Sequence, residues 1–594
     1  MLRFKTLFLA CLYSALLALQ PLTAKAELNA APLGIFQVYQ QNRAQGIPHY
    51  ITVDLWLSAY SLLRQSSWQN HEAKVLLPAL TQLSQSLLTI SNQQPKDSAG
   101  DANRDLAAIV QHLLNPEAPM TLSPRAKVEW QLITQANGLH SSPLWEYPID
   151  YSQFQVRGYY QQSPDLSRYF KAFRYLANIA WYINPSESTQ VTTELANRFL
   201  QQSRYLLASA ASSGDFTQTL DTLTSSLQWQ FGIADDLRFD ELSRLAVKTQ
   251  AKSLEQWRQQ LNAYAQKQQR LPQLRSGLIS EPISPLASLA WRLLPLSLDQ
   301  DQLALQTVLH PNTGVFNGTT DKPPFSLLTL NGHLLKGFPS VYELAMWQMG
   351  TTGQAWLSQW QENQYANYAH FQALAKQQLQ QVTGLQKPQQ AVFNRLLQTE
   401  TAEHKIRLSA ALAFWSWQRY IALLYHKPSY GLLGKGTMAN KPRNGARIEA
   451  APEIYQALLD LVAEHQQHDA DPHWDSFSRL LKQAMHIAAL PKQTNPQQQQ
   501  FLNELDLQLT QLSGKTDKPL VMDIFTEPNS GQVVTEAIGF ADIAFKDQAR
   551  GARLSHYEFK QPLSQRLTDS QWQQRLNDAF VELSAVKTST FITQ

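Results

Sequence analysis

Val521-Met522-Asp523-Ile524-Phe525-Thr526-Glu527-Pro528-Asn529-Ser530-Gly531-Gln532-Val533-Val534 reads as two short β segments joined by a turn. Pro528, Asn529, Ser530 and Gly531 each favour a turn for a different backbone reason. The long stretches before it read as helix, so this hairpin depends on a helical body for support, because an isolated hairpin is marginal in water. The expected fold is mostly α: a large α/α helical array, toroid- or solenoid-like, with a small β hairpin near the C-terminus. Asp523 and Glu527 flank the turn as a pair of carboxylates.

Working backwards, the helical evidence lies in caps and periodicity. Thr52 is placed as the N-cap of a helix whose Leu55, Ala59, Leu62 and Leu63 share one face. Asp54 falls in its first turn, where a carboxylate complements the helix dipole; this capping role alone accounts for it. A second helix is expected over 72–90, kinked at Pro78, and a shorter one over 105–114. Residues 151–160 read as aromatic and extended. Ser163-Pro164 then opens a helix carrying Leu166, Tyr169, Phe170, Phe173, Leu176 and Ala177 as a core stripe. Further helices are expected over 191–212, 242–266, 341–361, 365–383, 405–425, 452–466 and 474–489. The Gln-rich stretch 491–500 reads as a linker, and a terminal helix is expected over 570–585. Residues 27–594 form one large helical domain in this reading, with a subdivision at 491–500 and a C-terminal part over 501–594.

Arg3, Lys5, the apolar run 7–19 and Ala24-Lys25-Ala26 have the layout of a cleavable signal peptide over residues 1–26, which predicts a periplasmic or secreted protein. The apolar run is shorter than the roughly 20 residues of a membrane span. No transmembrane segment is expected after its removal. Cys11, the only cysteine, lies too deep in that run for a lipidation site, so the mature chain holds no disulfide. Charged residues are 16% of the chain, against about 25% in typical domains. Without Arg3, Lys5 and Lys25, 47 basic residues face 47 acidic ones. A neutral chain with no basic block excludes nucleic acid bound by counterion release.

Gly232-Ile233-Ala234-Asp235-Asp236-Leu237-Arg238-Phe239-Asp240-Glu241 gathers four acids, but without the alternate spacing and turn Gly of a calcium loop; capping by Asp240 or solvated charge is the expectation. No Gly-rich phosphate loop, His-Glu-x-x-His or Gly-x-Ser-x-Gly is present. No metal and no cofactor is expected.

Ile51-Thr52-Val53-Asp54 with Leu55 and Tyr60, the stretch 151–160 with Arg157-Gly158, and His310-Pro311-Asn312-Thr313-Gly314 belong to one ordered set. Phe338-Pro339-Ser340, 424–430, 523–531, His556-Tyr557-Glu558-Phe559, Arg566-Leu567-Thr568-Asp569 and Trp572 complete it. In this order the segments resemble an exported bacterial family, domain of unknown function 3160, across nearly all of the mature chain. The resemblance implies histidines where this chain has Ser58, Ser61, Tyr159, Tyr420 and Phe525. If those positions share one site in the fold, an ancestral metal site has been lost, since imidazole is the commonest metal ligand and general base.

Two functions follow as expectations. The first is a ligand- or partner-binding protein, with Arg157, Tyr159, Arg419, Tyr420 and Asn529 at the site and an envelope glycan or protein as partner. The second is a hydrolase of cell-envelope glycan or peptide using paired carboxylates. Its candidates are Asp523 and Glu527, with Asp54 or Asp236 as a distant partner. At least one Asp–Arg pair among Asp54, Arg157, Arg419 and Asp523 is expected within roughly 4 Å, in the helical interior beneath the hairpin.

Overall fold

The computed structural model describes residues 34–118, 122–211, 213–273, 285–330, 332–398, 404–430, 436–437, 448–469, 471–489, 501, 504–505, 519–527, 531–544 and 550–576. The signal segment 1–26, the linker 491–500, Asn529 and the end of the terminal helix lie outside them.

The fold is mostly α. Its centre is helix α1 (Val53–His71), in which every residue from Val53 to Gln65 is buried. Thr52 caps it, the hydroxyl accepting from Leu55 N at 3.2 Å. A helix buried on all faces must find partners for its polar residues. Gln65 Oε1 accepts from Trp417 Nε1 at 3.0 Å and Ser61 Oγ from Gln418 Nε2 at 2.9 Å. Both donors lie on the equally buried helix α4 (His404–Ile421). Helix α2 (Leu77–Asn92) holds Pro78 in its first turn. The break expected at Pro78 falls just before it, as a π-helical turn over Glu72–Leu76. Ser163 and Pro164 start helix α3 (Pro164–Asn178), whose stripe of Leu166, Tyr169, Phe170, Phe173, Leu176 and Ala177 is buried.

Three expectations are corrected. The stretch 151–160 is not extended: it forms two 3₁₀ turns, Tyr151–Phe154 and Gly158–Gln162. The helix expected over 242–266 is two, Phe239–Thr249 and Leu254–Lys267, because Gln250 turns left-handed at φ +46° and Ser253 caps the second through Gln256 N. The helix expected over 341–361 also divides, into Val341–Gln348 and Gly350–Gln359, at Gly350 with φ +58°. Helices Gly214–Phe231 and Gln386–Leu397 were not expected at all.

The hairpin is present and larger than expected. Strands β1 (Leu520–Glu527), β2 (Gln532–Ala544) and β3 (Arg550–Pro562) form an antiparallel meander, with Ser429–Tyr430 added parallel to β1 and Gly436–Thr437 antiparallel to β3. β3 was missed because its buried face mixes Ala552 and Leu554 with His556 and Glu558, which breaks the period-2 apolar signal. The carboxylate of Glu558 accepts from Val341 N and Ser340 Oγ, both at 2.8 Å, and so caps the Val341–Gln348 helix. One contiguous apolar core runs from Ile35 to Leu554 and includes Leu520, Met522, Ile524 and Val534 of the sheet. Val521, Ala537 and Trp572 form a separate, small cluster with the alternate residues of the sheet.

Candidate functional site

The Arg157-Gly158 corner is fixed by its backbone. Gly158 has φ +61°, and a Cβ there would meet Leu423 Cδ2 at 2.9 Å and the Tyr420 ring at 3.2 Å. Glycine is thus required both by conformation and by the close approach of α4. The corner aims Arg157 at β1, where Nη1 donates to Asp523 Oδ2 at 3.1 Å and Nη2 to Gln153 Oε1 at 3.1 Å. Asp523 sits at a β-bulge, since it faces Thr535 while Phe525 faces Val534, leaving Ile524 unpaired. Bulges re-aim side chains and recur beside functional sites. Asp523 Oδ1 accepts from Thr535 Oγ1 at 2.9 Å, and Arg566 Nε lies 3.0 Å from Oδ2. The expected Asp–Arg pair therefore forms between Arg157 and Asp523. It lies at a cavity edge rather than deep inside, with 24% of the Arg157 side chain exposed.

That cavity, about 60 Å³ in volume, has room for roughly two to four waters. Arg157, Arg174, Arg419, Lys427 and Arg566 line it, and Asp523 is the only carboxylate among the lining residues. Arg419 is ion-paired with Asp299 and lies over the Trp415 ring at 5.0 Å. Burial pulls its pKa down to about 9, so it remains a cation at neutral pH. Lys427 pairs with Asp235, and with Asp236 at 2.9 Å. Burial opposes its charge, but these two carboxylates outweigh it and raise the ammonium pKa. His426 Nδ1 lies 3.3 Å from Asp299; burial first, then Arg419, holds the imidazole well below its usual pKa, and hence neutral. Arg174 Nη2 donates to Leu423 O at 2.7 Å. The Arg566 side chain is only 6% exposed, yet Nη1 and Nη2 meet no protein acceptor among the described residues, and neither does Arg419 Nη2.

The remaining candidates are distributed as follows. Asp54 is buried and held by Arg553 Nη1 at 2.7 Å and Leu554 N at 2.8 Å, which pins α1 to β3. Asp236 accepts from Arg292 Nε at 2.8 Å. The acidic connection is thus not solvated at Asp235 and Asp236, both buried; Asp240, bound to Arg238 and Arg244, stays partly exposed, and Glu241 rather than Asp240 caps the next helix through Arg238 N. Glu527 is buried at the end of β1, opposite Gln532. Tyr420 donates to Asp569 at 2.6 Å. Asn529 lies outside the described residues.

Tyr159 turns to a different centre. Glu72, fully buried in the π turn, accepts through Oε1 from Tyr160 at 2.5 Å, from Tyr159 and Trp68 Nε1 at 3.1 Å, and from Tyr425. Burial pushes its pKa up to about 7, against the opposing effect of the tyrosine hydrogen bonds. Of the positions where histidine was expected from the resemblance, Tyr159 and Tyr420 touch, with ring centroids 6.2 Å apart. Phe525 lines the cavity beside Gly158, and Ser61 binds Gln418, next to Arg419 on α4. Sequence reasoning gave no site role to Arg174, Lys427, Arg566 or Glu72, although Lys427 and Arg566 stand in the segments that carry the resemblance. Arg174 carried a signal, as a charge within an apolar-aromatic helix.

No curated protein and no solved structure matches the chain. A family model does match, over residues 22–583, nearly the whole chain, and the chain belongs to that family, described as "Protein of unknown function (DUF3160)".

Proposed function

We propose that this chain is an exported binding protein whose ligand presents an anionic group, carboxylate or phosphate, to the cavity between α4 and β1. The observation that carries the reading is Arg566: a buried guanidinium with two nitrogens that meet no acceptor among the described residues, in a cavity lined by five cations and one carboxylate. Buried donors of this kind are satisfied by partners, and arginine forks match carboxylate and phosphate bidentately. The cavity volume suits such a group and not a whole sugar ring, so an envelope glycan would enter by an acidic substituent. Calorimetric titration with phosphate, sulfate, acetate and uronate oligosaccharides is expected to show saturable binding. Arg566→Gln should weaken it about tenfold, or 1.4 kcal/mol. Absence of saturable binding by every one of these anions overturns the reading.

Export rests on the N-terminal segment and is tested by fractionating cells and sequencing the mature N-terminus, expected at Glu27. Loss of an ancestral metal site is supported by the contact between Tyr159 and Tyr420, by Phe525 lining the cavity beside Gly158, and by Ser61 bonded to the α4 residue next to Arg419. Stoichiometric zinc, iron or manganese retained after dialysis would sink it. For the hydrolase alternative, this cavity offers Asp523 alone, whereas glycoside hydrolysis uses two carboxyl groups about the bond.

A further inference from the structure

We infer that a second cavity, adjoining the first at Arg419 and His426, is another anionic subsite with Arg64 as its counter-cation, so that the ligand is a small dianion spanning both. This rests on the anion-binding reading above and extends it to a ligand class.

The second cavity also measures about 60 Å³, and Arg64, Gln230, Gln389, Phe414, Trp415 and Gln418 are among its lining residues. Arg64 projects from α1 and is 2% exposed. Its Nη1 donates to Gln418 Oε1 at 2.8 Å and Nη2 to Gln230 Oε1 at 3.5 Å, both neutral amides, while Nε meets no protein acceptor. Among the described residues no carboxylate lies within 4 Å of its guanidinium. Three other buried arginines make the contrast: Arg292 pairs with Asp236, Arg407 with Glu449 and Arg419 with Asp299. Two carboxylates line the same cavity, but Arg419 neutralises Asp299, and Asp301 accepts from Trp415 Nε1 at 2.6 Å. Among the described residues Arg64 is thus a buried cation that meets two amides and the face of Phe231, 5.8 Å away, but no carboxylate, an arrangement that is destabilising unless an anion meets it. Together the two cavities hold roughly four to eight waters. That is the size of a short dicarboxylate or a phosphorylated hydroxy acid.

The test is calorimetry and thermal shift on the mature full-length chain with malonate, succinate, glutarate, adipate and 2-phosphoglycolate, against acetate and inorganic phosphate. At least one dianion is expected to bind ten times tighter or more than acetate. Arg64→Met should bring the dianions down to the affinity of acetate, with acetate and phosphate still bound at the first cavity, and Arg566→Gln should weaken all of them. If Arg64→Met does not fold, Arg64→Lys, which keeps the charge but not the fork, is expected to lose part of the gain. Dianions binding no tighter than acetate, or a gain that survives Arg64 substitution, overturns the inference. Acetate or phosphate binding in that case still supports the single anion site, whereas no binding by any anion ends both readings.

Discussion

At the scale of the residue, the cavity is a balance between Asp523 and the cations around it. Arg157→Ala is expected to cost about 1–2 kcal/mol in chemical denaturation, because the pair is partly exposed and Arg566 still faces the carboxylate. Asp523→Asn keeps the shape but removes the carboxylate that Arg157 and Arg566 share, and about 3 kcal/mol is expected. The same variant should bind phosphate more tightly than the native chain and regain more stability from it. Equal costs for the two variants would show that the pair is not organised as described. Glu72 makes a prediction of the opposite kind. Its carboxyl is raised by burial to about 7 in the folded chain, so between its unfolded pKa near 4.5 and about 7 the native state binds more protons than the unfolded one. Its contribution to stability is fully present below pH 4.5 and is lost as pH rises through 7, by about 3 kcal/mol. Glu72→Gln removes that titration. Stability of the variant relative to the native chain should therefore rise between pH 5 and pH 8, and a difference flat with pH would refute the assignment.

Among the elements, the corner at Gly158 carries the most geometry. Its positive φ and the 2.9 Å approach of Leu423 leave no room for a side chain. Gly158→Ala is expected to cost about 2–4 kcal/mol, from left-handed strain and overpacking together. Because the corner also aims Arg157, anion affinity should fall with it, whereas a remote destabilising change of the same size should leave affinity intact. The β-bulge at Ile524 plays the matching part on the strand side, turning Asp523 toward Arg157 and Arg566. Both elements deliver a charge to one cavity from segments 366 residues apart.

For the whole molecule, the sheet is part of the main core and not an appendage to it. Leu520, Met522, Ile524, Phe525, Val534, Ile538, Ala552 and Leu554 belong to the same apolar cluster as α1 and α4. The Arg553 ion pairs with Asp54 and Glu449 and the Thr52 hydroxyl bond to Ala552 O at 2.7 Å add polar ties between the two ends of the chain. A chain ending at residue 500 is therefore expected to be insoluble or to lack a cooperative thermal transition, measured by circular dichroism. A soluble, cooperatively folding 27–500 fragment would instead establish the subdivision suggested by the Gln-rich stretch.

What the sequence determined by itself was local. Ser163-Pro164 announced α3, Thr52 announced α1, the 3.6-residue stripe of α3 announced a core face, and the turn residues after Glu527 announced a hairpin. Each is a signal carried by residues within one or two turns of each other, and each pointed to the mostly α class and the sheet's position. The family segments also pointed to Arg157 and Asp523, and the binding reading to Arg419. What the tertiary structure alone decided was which charges meet. Asp54 looked like a helix cap and is the partner of Arg553, 499 residues on. Tyr159 was expected at the site with Arg157, its neighbour but one, and binds Glu72 instead. Arg64 sits on a helix read only for its apolar face, and that no carboxylate among the described residues pairs with it is a fact of three dimensions. Coulomb attraction and desolvation depend on distance through space and on how much water packing removes, and no spacing along the chain encodes either.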